Sequence, residues 1–75
     1  MIGEKLKAVR KAKGLSQAKL GELSGVAGPT IARYESNQIE PSAEVLMRIA
    51  QALNVSMSSL MDTDLSVEED EATMV

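Results

Sequence analysis

The sequence predicts an all-α domain of five short helices, and three observations carry that expectation. Apolar residues recur at three- and four-residue spacing, the period of a helix face. The core palette is Leu, Ile, Val, Met and Ala. Phe and Trp are absent and Tyr34 is the one aromatic residue, which suits packed helices better than strands. Serines and glycines stand between the periodic runs, where helix starts and stops need them.

The first helix is expected over residues 2–13. Ile2, Leu6 and Val9 share one face, and Lys5, Lys7, Arg10, Lys11 and Lys13 occupy much of the rest. Cations in its last turn suit the helix dipole, and Gly14 is a natural stop. Ser16 caps the second helix, over residues 17–23, with Leu20 and Leu23 facing inward. Gly21 in its middle costs roughly 1 kcal/mol relative to Ala, which suggests that another backbone packs against it. Ser24-Gly25-Val26 forms a short turn, with Gly where a positive φ is useful.

The third helix is expected over residues 28–35, although it begins Gly28-Pro29. Proline is tolerated in a first turn, where its missing N–H has no intrahelical partner and its fixed φ suits the helix. Ile31 and Tyr34 face inward, and Ser36-Asn37-Gln38 ends the segment with turn chemistry. After Pro41, Ser42 caps a fourth helix with Glu44 in its first turn. Its stripe is Val45, Leu46, Ile49, Ala50 and Leu53, and Asn54 ends it. Ser56 opens a short fifth segment, in which Met57, Leu60 and Met61 close the core.

At 75 residues the chain holds one domain. Its net charge of −3 hides a segregation of sign. Residues 1–61 carry all eight Lys and Arg against five Glu, leaving +3, whereas residues 62–75 carry six Asp and Glu and no base. A mildly basic body suits an anionic partner. The tail has two readings. It is a solvated charge run, or Ser66 and Glu69 form a capping box for a short helix that needs a surface to pack on. The organisation expected is a domain over 1–61 and an acidic tail or dimerisation arm over 62–75.

Several function classes drop out. There is no Cys and no His, which removes disulfides, thiolate metal sites, the commonest general base and the commonest metal ligand. No convergent set of carboxylates, Lys and Tyr34 suggests an enzyme, and no cofactor is implied. No apolar run reaches the length of a membrane span, and the N-terminus lacks the apolar stretch of a secretion signal. The cytoplasm is the expected compartment.

The second and third helices, joined by a Gly-containing turn, have the layout of a helix-turn-helix. On those two helices alone, a generic small bundle serves equally well. The longer pattern decides: Ser16-Gln17, Leu20, Gly25-Val26, Thr30-Ile31, Arg33-Tyr34-Glu35, Pro41, Leu46, Ile49-Ala50, Leu53 and Val55. Over residues 2–61 it closely resembles the phage-repressor/Cro-type (Xre-like) helix-turn-helix family.

That resemblance implies a lambda-repressor-like domain binding double-stranded DNA, as a homodimeric transcriptional regulator and repressor of bacterial or phage type. It makes Ser16 and Gln17 phosphate contacts. It makes Gly28, Pro29, Thr30 and Arg33 the major-groove face, and Ser36, Asn37 and Gln38 a loop at the next phosphates. Arg10 and Glu35 match a pair that bridges the first and third helices. Met57, Leu60, Met61, Leu65 and Val67 are candidates for the dimer surface.

The chain departs from the family at the start of the third helix. Ala27 stands where relatives carry a Ser or Thr cap, and Gly28 and Pro29 stand where they carry long polar side chains. Neither can donate a side-chain hydrogen bond to a base. Readout then falls to Thr30 and Arg33, to apolar contact by Pro29, or to DNA shape. The competing reading is a protein-interaction module, such as an antitoxin or a restriction-modification controller-type protein with weak DNA readout.

Overall fold

The computed structural model describes residues 2–61. Four α-helices run in order: α1 (Gly3–Ala12), α2 (Gln17–Ser24), α3 (Gly28–Glu35) and α4 (Ala43–Leu53). A single 3-10 turn, η1 (Met57–Leu60), follows. The fifth expected helix is thus one tight turn. It has only four residues between Ser56 and Met61, too few to establish α-helical bonding. Among the described residues there is no strand.

Each helix stops in the same way. The residue after its last turn takes a left-handed conformation: Gly14 (φ 73°), Gly25 (φ 76°), Asn37 (φ 64°) and Asn54 (φ 60°). At α1 the Gly14 and Leu15 amides donate back to the Lys11 and Arg10 carbonyls. At α3 the Asn37 and Gln38 amides reach Tyr34 and Arg33, and at α4 the Asn54 and Val55 amides reach Gln51 and Ala50. These paired bonds satisfy carbonyls that would otherwise be orphaned, and only Gly or Asn adopts the required backbone readily.

The starts differ from one another. Ser16 Oγ accepts from the Lys19 amide (2.9 Å) and Ser42 Oγ from the Val45 amide (3.2 Å), as expected for N-caps. Ala27 offers no side-chain bond, so α3 begins with backbone contacts alone and Pro29 in its first turn. Ile2 offers none at α1; there the Gly3 amide donates to Asn37 Oδ1 at 3.0 Å, from the far end of α3.

The core is built from Leu6, Leu20, Ile31, Tyr34, Leu46, Ile49, Ala50, Leu53 and Leu60. Ile2, Val9, Leu15, Val26, Val45 and Met57 pack against its edge. Each fully buried Leu or Ile contributes about 1.5–3 kcal/mol over its exposed state.

The second helix corrects two expectations. Ser24 belongs to α2, and its buried hydroxyl donates to the Leu20 carbonyl at 2.8 Å; the turn is Gly25-Val26-Ala27. Leu23 does not face inward and is 51% exposed. The inner side of α2 is instead Leu20, Gly21 and Ser24. A Cβ on Gly21 would collide with the Val26 carbonyl oxygen, so small residues occupy the side where the turn folds back.

Met61 also lies outward, at 39% exposure. Leu60 is fully buried and belongs to the core, which withdraws it from any dimer surface. Leu65, Val67 and the capping box read at Ser66 and Glu69 lie outside the described residues.

Candidate nucleic-acid interface

The third helix presents two chemically distinct sides. Ile31, Tyr34 and Glu35 are buried, whereas Pro29 and Arg33 are exposed, with Thr30 and Gly28 half-buried beside them. The outward side therefore offers one guanidinium, one hydroxyl and one proline ring. Gly28 has room for a side chain: an added Cβ would sit 3.4 Å from Ala18 Cα, an ordinary contact. Close packing within the protein does not require glycine there.

The buried end of α3 is locked from behind. Glu35 pairs with Arg10 of α1 through two bonds, Nε to Oε2 at 2.5 Å and Nη2 to Oε1 at 3.0 Å. The third guanidinium nitrogen, Nη1, donates to the Leu15 carbonyl at 2.7 Å. Gln17, at the start of α2, donates its amide to Glu35 Oε1 at 3.0 Å. One carboxylate thus joins α1 and the first turn of α2 to the end of α3. Both charged side chains of the pair are nearly inaccessible, at 8% and 3%.

The electrostatics agree with the geometry. Burial alone would push the Glu35 carboxyl up; hydrogen bonds from Arg10 and Gln17, with the charges of Arg10 and Lys7, outweigh it and hold the group below its ordinary value. The hydrogen bond from Arg10 to Glu35 likewise raises the guanidinium.

Of the sequence-derived site residues, Ser16, Pro29, Arg33, Ser36 and Gln38 are exposed, and Gln17, Gly28, Thr30 and Asn37 half-buried. Four of them have structural partners. The Ser16 hydroxyl caps α2. Gln17 is drawn into the Glu35 network. Asn37 terminates α3 and gives its side-chain oxygen to the Gly3 amide. Ser36 Oγ donates to the Arg33 carbonyl at 3.2 Å, inside its own turn.

Two contributors were invisible in the sequence. Gly3 is packed so tightly that a Cβ there would collide with the carbonyls of Glu35 and Tyr34 and with Asn37 Oδ1. The Leu15 carbonyl anchors Arg10 with a group that every residue carries. Among the described residues no group of three or more His, Cys, Asp or Glu is placed to hold a metal ion. None of their helices is long and apolar enough to cross a membrane.

A crossing of two helices through a tight left-handed turn, with the second held from behind, invites comparison with known proteins. Residues 6–60 match the family model described as helix-turn-helix. The chain belongs to the helix-turn-helix family. It is 36% identical over 66 residues to repressor protein C2 of Salmonella phage P22, covering 88% of this chain and 31% of that protein. It is 38% identical over 71 residues to the transcriptional regulator SinR of Bacillus subtilis, covering 93% of this chain and 64% of that one. The chain therefore spans about a third to two thirds of these relatives' lengths.

Solved structures agree. The P22 c2 repressor in complex with a synthetic operator superposes with a TM-score of 0.77 at 34% identity, covering 83% of this chain and 94% of that one. The restriction-modification controller protein C.AhdI from Aeromonas hydrophila gives 0.78 at 33% identity, covering 80% and 91%. SinR in its complex with SinI gives 0.78 at 38% identity, covering 87% and 64%. The lambda-repressor-like fold expected from the sequence is the fold of this helix-turn-helix domain.

Proposed function

We propose that this helix-turn-helix chain is a sequence-specific transcriptional regulator, a repressor, that binds operator DNA as a homodimer with α3 in the major groove. The observation that carries the reading is the exposure of Pro29, Thr30 and Arg33 on a helix whose opposite side is fixed by the buried Arg10–Glu35–Gln17 network. A reading helix must present its outer side at a fixed angle, and a buried ion pair shared by three helices supplies that rigidity.

Within this reading Arg33 is the main base reader, pairing bidentately with a guanine. Pro29 and the Thr30 methyl make apolar contact with a thymine methyl. Ser16, Ser36 and Gln38 meet phosphates, and the N-terminus of α2 adds its dipole. Gln17 and Asn37 sit at the same backbone approach with one side-chain atom already committed to the fold. The chain acts by binding rather than catalysis, needs no cofactor and works in the cytoplasm. Met57, half-buried, and Met61, exposed, remain as dimer-surface candidates among the described residues.

Selection of bound duplexes from a random library tests the reading. It should return a two-fold-related site with half-sites about 34 Å apart. Arg33→Ala should flatten preference at one position per half-site; unchanged preference would place the reader elsewhere.

A protein-interaction module is favoured by one observation: Gly28 and Pro29 bring no side-chain donor to the reading face. A salt titration separates the two. Operator binding weakens steeply with salt as counterions are released. Negligible binding to any duplex at low salt would leave the interaction module standing.

A further inference from the structure

The first turn of α3 exposes an edge that is nearly devoid of hydrogen-bonding groups. Ala27 and Pro29 are exposed and apolar, and Gly28 between them has no side chain. Backbone donors are withheld as well. The Thr30 and Ile31 amides both donate to the Ala27 carbonyl, at 2.9 and 3.0 Å, and Pro29 has no N–H. The charged donor on this side is Arg33, exposed and in no ion pair among the described residues. It lies one turn beyond Pro29, about 6 Å along the axis. Between them Thr30 offers a hydroxyl that can donate or accept.

Such an edge sorts base pairs by shape and not by polarity. Thymine and cytosine differ in the major groove at two places: thymine has an O4 acceptor where cytosine has an N4 donor, and thymine alone carries a C5 methyl. A proline ring feels only the second difference. The Thr30 hydroxyl fits either polar group by rotating. 5-Methylcytosine carries the same methyl on the same ring carbon. To this edge it is equivalent to thymine, because no group present checks the polar atom beside the methyl.

We propose that Pro29 recognises the pyrimidine 5-methyl group itself, so that cytosine-methylated duplexes form a second class of site, with 5-methylcytosine standing in for thymine near the guanine read by Arg33. This rests on the DNA-binding reading above and deepens it. The two readers stand about 6 Å apart along the helix and stacked bases about 3.4 Å, so methyl and guanine lie within two base steps. Each methyl buried against the ring raises affinity about fourfold, and the effect compounds over two half-sites. Methylation of a cytosine there therefore strengthens binding without any change of sequence.

Selections with the full chain from random duplex libraries that differ only in pyrimidine methylation test this. The ordinary library should return thymine at one position within two steps of the guanine whose preference Arg33→Ala flattens. With 5-methylcytosine in place of every cytosine, that position should accept 5-methylcytosine as well as thymine. With uracil in place of every thymine, uracil and ordinary cytosine should be recovered equally there. With both replacements, 5-methylcytosine should be chosen over uracil. Titration of one selected duplex should show uracil weakening binding about fourfold per methyl removed, and 5-methylcytosine restoring it. Pro29→Ala should erase most of the methyl dependence and keep the guanine preference, which also shows that the variant is folded.

A thymine preference that persists as uracil would overturn the proposal, because the reader would then be a polar group. Rejection of 5-methylcytosine would overturn it too, as would methyl dependence unchanged by Pro29→Ala. A guanine preference with no methyl-dependent position beside it sinks this inference alone. No enriched duplex from any library, together with no duplex binding at low salt, sinks the DNA-binding reading itself.

Discussion

Asn37 accepts the Gly3 amide N–H through its side-chain oxygen at 3.0 Å, so the residue that ends α3 also caps α1. Its backbone is left-handed, at φ 64°. The two roles separate by substitution. Asn37→Gly keeps the backbone and loses the acceptor, and should cost about 1 kcal/mol. Asn37→Ala loses both and should cost about 1–2 kcal/mol more, while Asn37→Asp should restore most of the loss. Urea unfolding measures all three. A glycine variant as stable as the parent would mean that the cap contributes nothing.

Three helical glycines should respond in opposite ways to an added methyl. Gly3→Ala and Gly21→Ala drive a Cβ into carbonyl oxygens, of Glu35 and Tyr34 in one case and Val26 in the other. Each should cost about 1–3 kcal/mol despite alanine's better helix propensity. Gly28→Ala meets only ordinary contacts and should leave stability unchanged or raise it by up to about 1 kcal/mol. Thermal melts resolve the contrast, since 1 kcal/mol moves Tm by about 4–8 °C in a domain of this size.

Ala27 already has the backbone of a cap, at φ −61° and ψ 139°, without the side chain of one. Ala27→Ser should therefore stabilise the fold by about 1 kcal/mol. A Tm that stays put would show that Pro29 and the backbone already satisfy this helix start.

Removing one partner of the buried pair should be severe. Arg10→Met leaves Glu35 buried with Gln17 as its remaining hydrogen-bond donor, and should cost about 3–5 kcal/mol. Replacing both, as Arg10→Met with Glu35→Leu, should cost far less than the two single losses combined. Denaturant unfolding of the four members of this cycle gives the coupling directly.

The same pair sets a pH dependence. The Glu35 carboxyl is held below its ordinary value in the fold, so the unfolded chain takes up the proton first. Its contribution is complete above the unfolded value, about 4.3, and is lost as pH falls from there through the lower folded value. Stability should hold from neutral pH to about 5 and then decline. In Glu35→Gln the decline should be visibly shallower, as followed by urea unfolding at a series of pH values.

What the sequence made legible was local. Pro29 in a first turn placed the start of α3, and Ser16 and Ser42 placed two others, because a cap and its partner lie within a few residues. Arg10–Glu35 followed from family resemblance and is present as a double hydrogen bond. The misses share a cause. Leu23 satisfied the spacing of an inward stripe, but the side of α2 under the turn has room only for Gly21 and Ser24. Gly3 is needed because of carbonyls more than thirty positions away, and nothing near it in the chain announces that. Gln17 and Asn37, expected at phosphates, each turn one polar atom toward the fold, which neither tests nor removes that expectation.

Because Glu35 is gripped from α1 and α2, none of the bonds that hold α3 in place comes from Pro29, Thr30 or the Arg33 side chain. Those positions can be exchanged without unmaking the attachment. A lineage built on this scaffold can change what the helix recognises by substituting two or three residues, and inherit the rest unaltered.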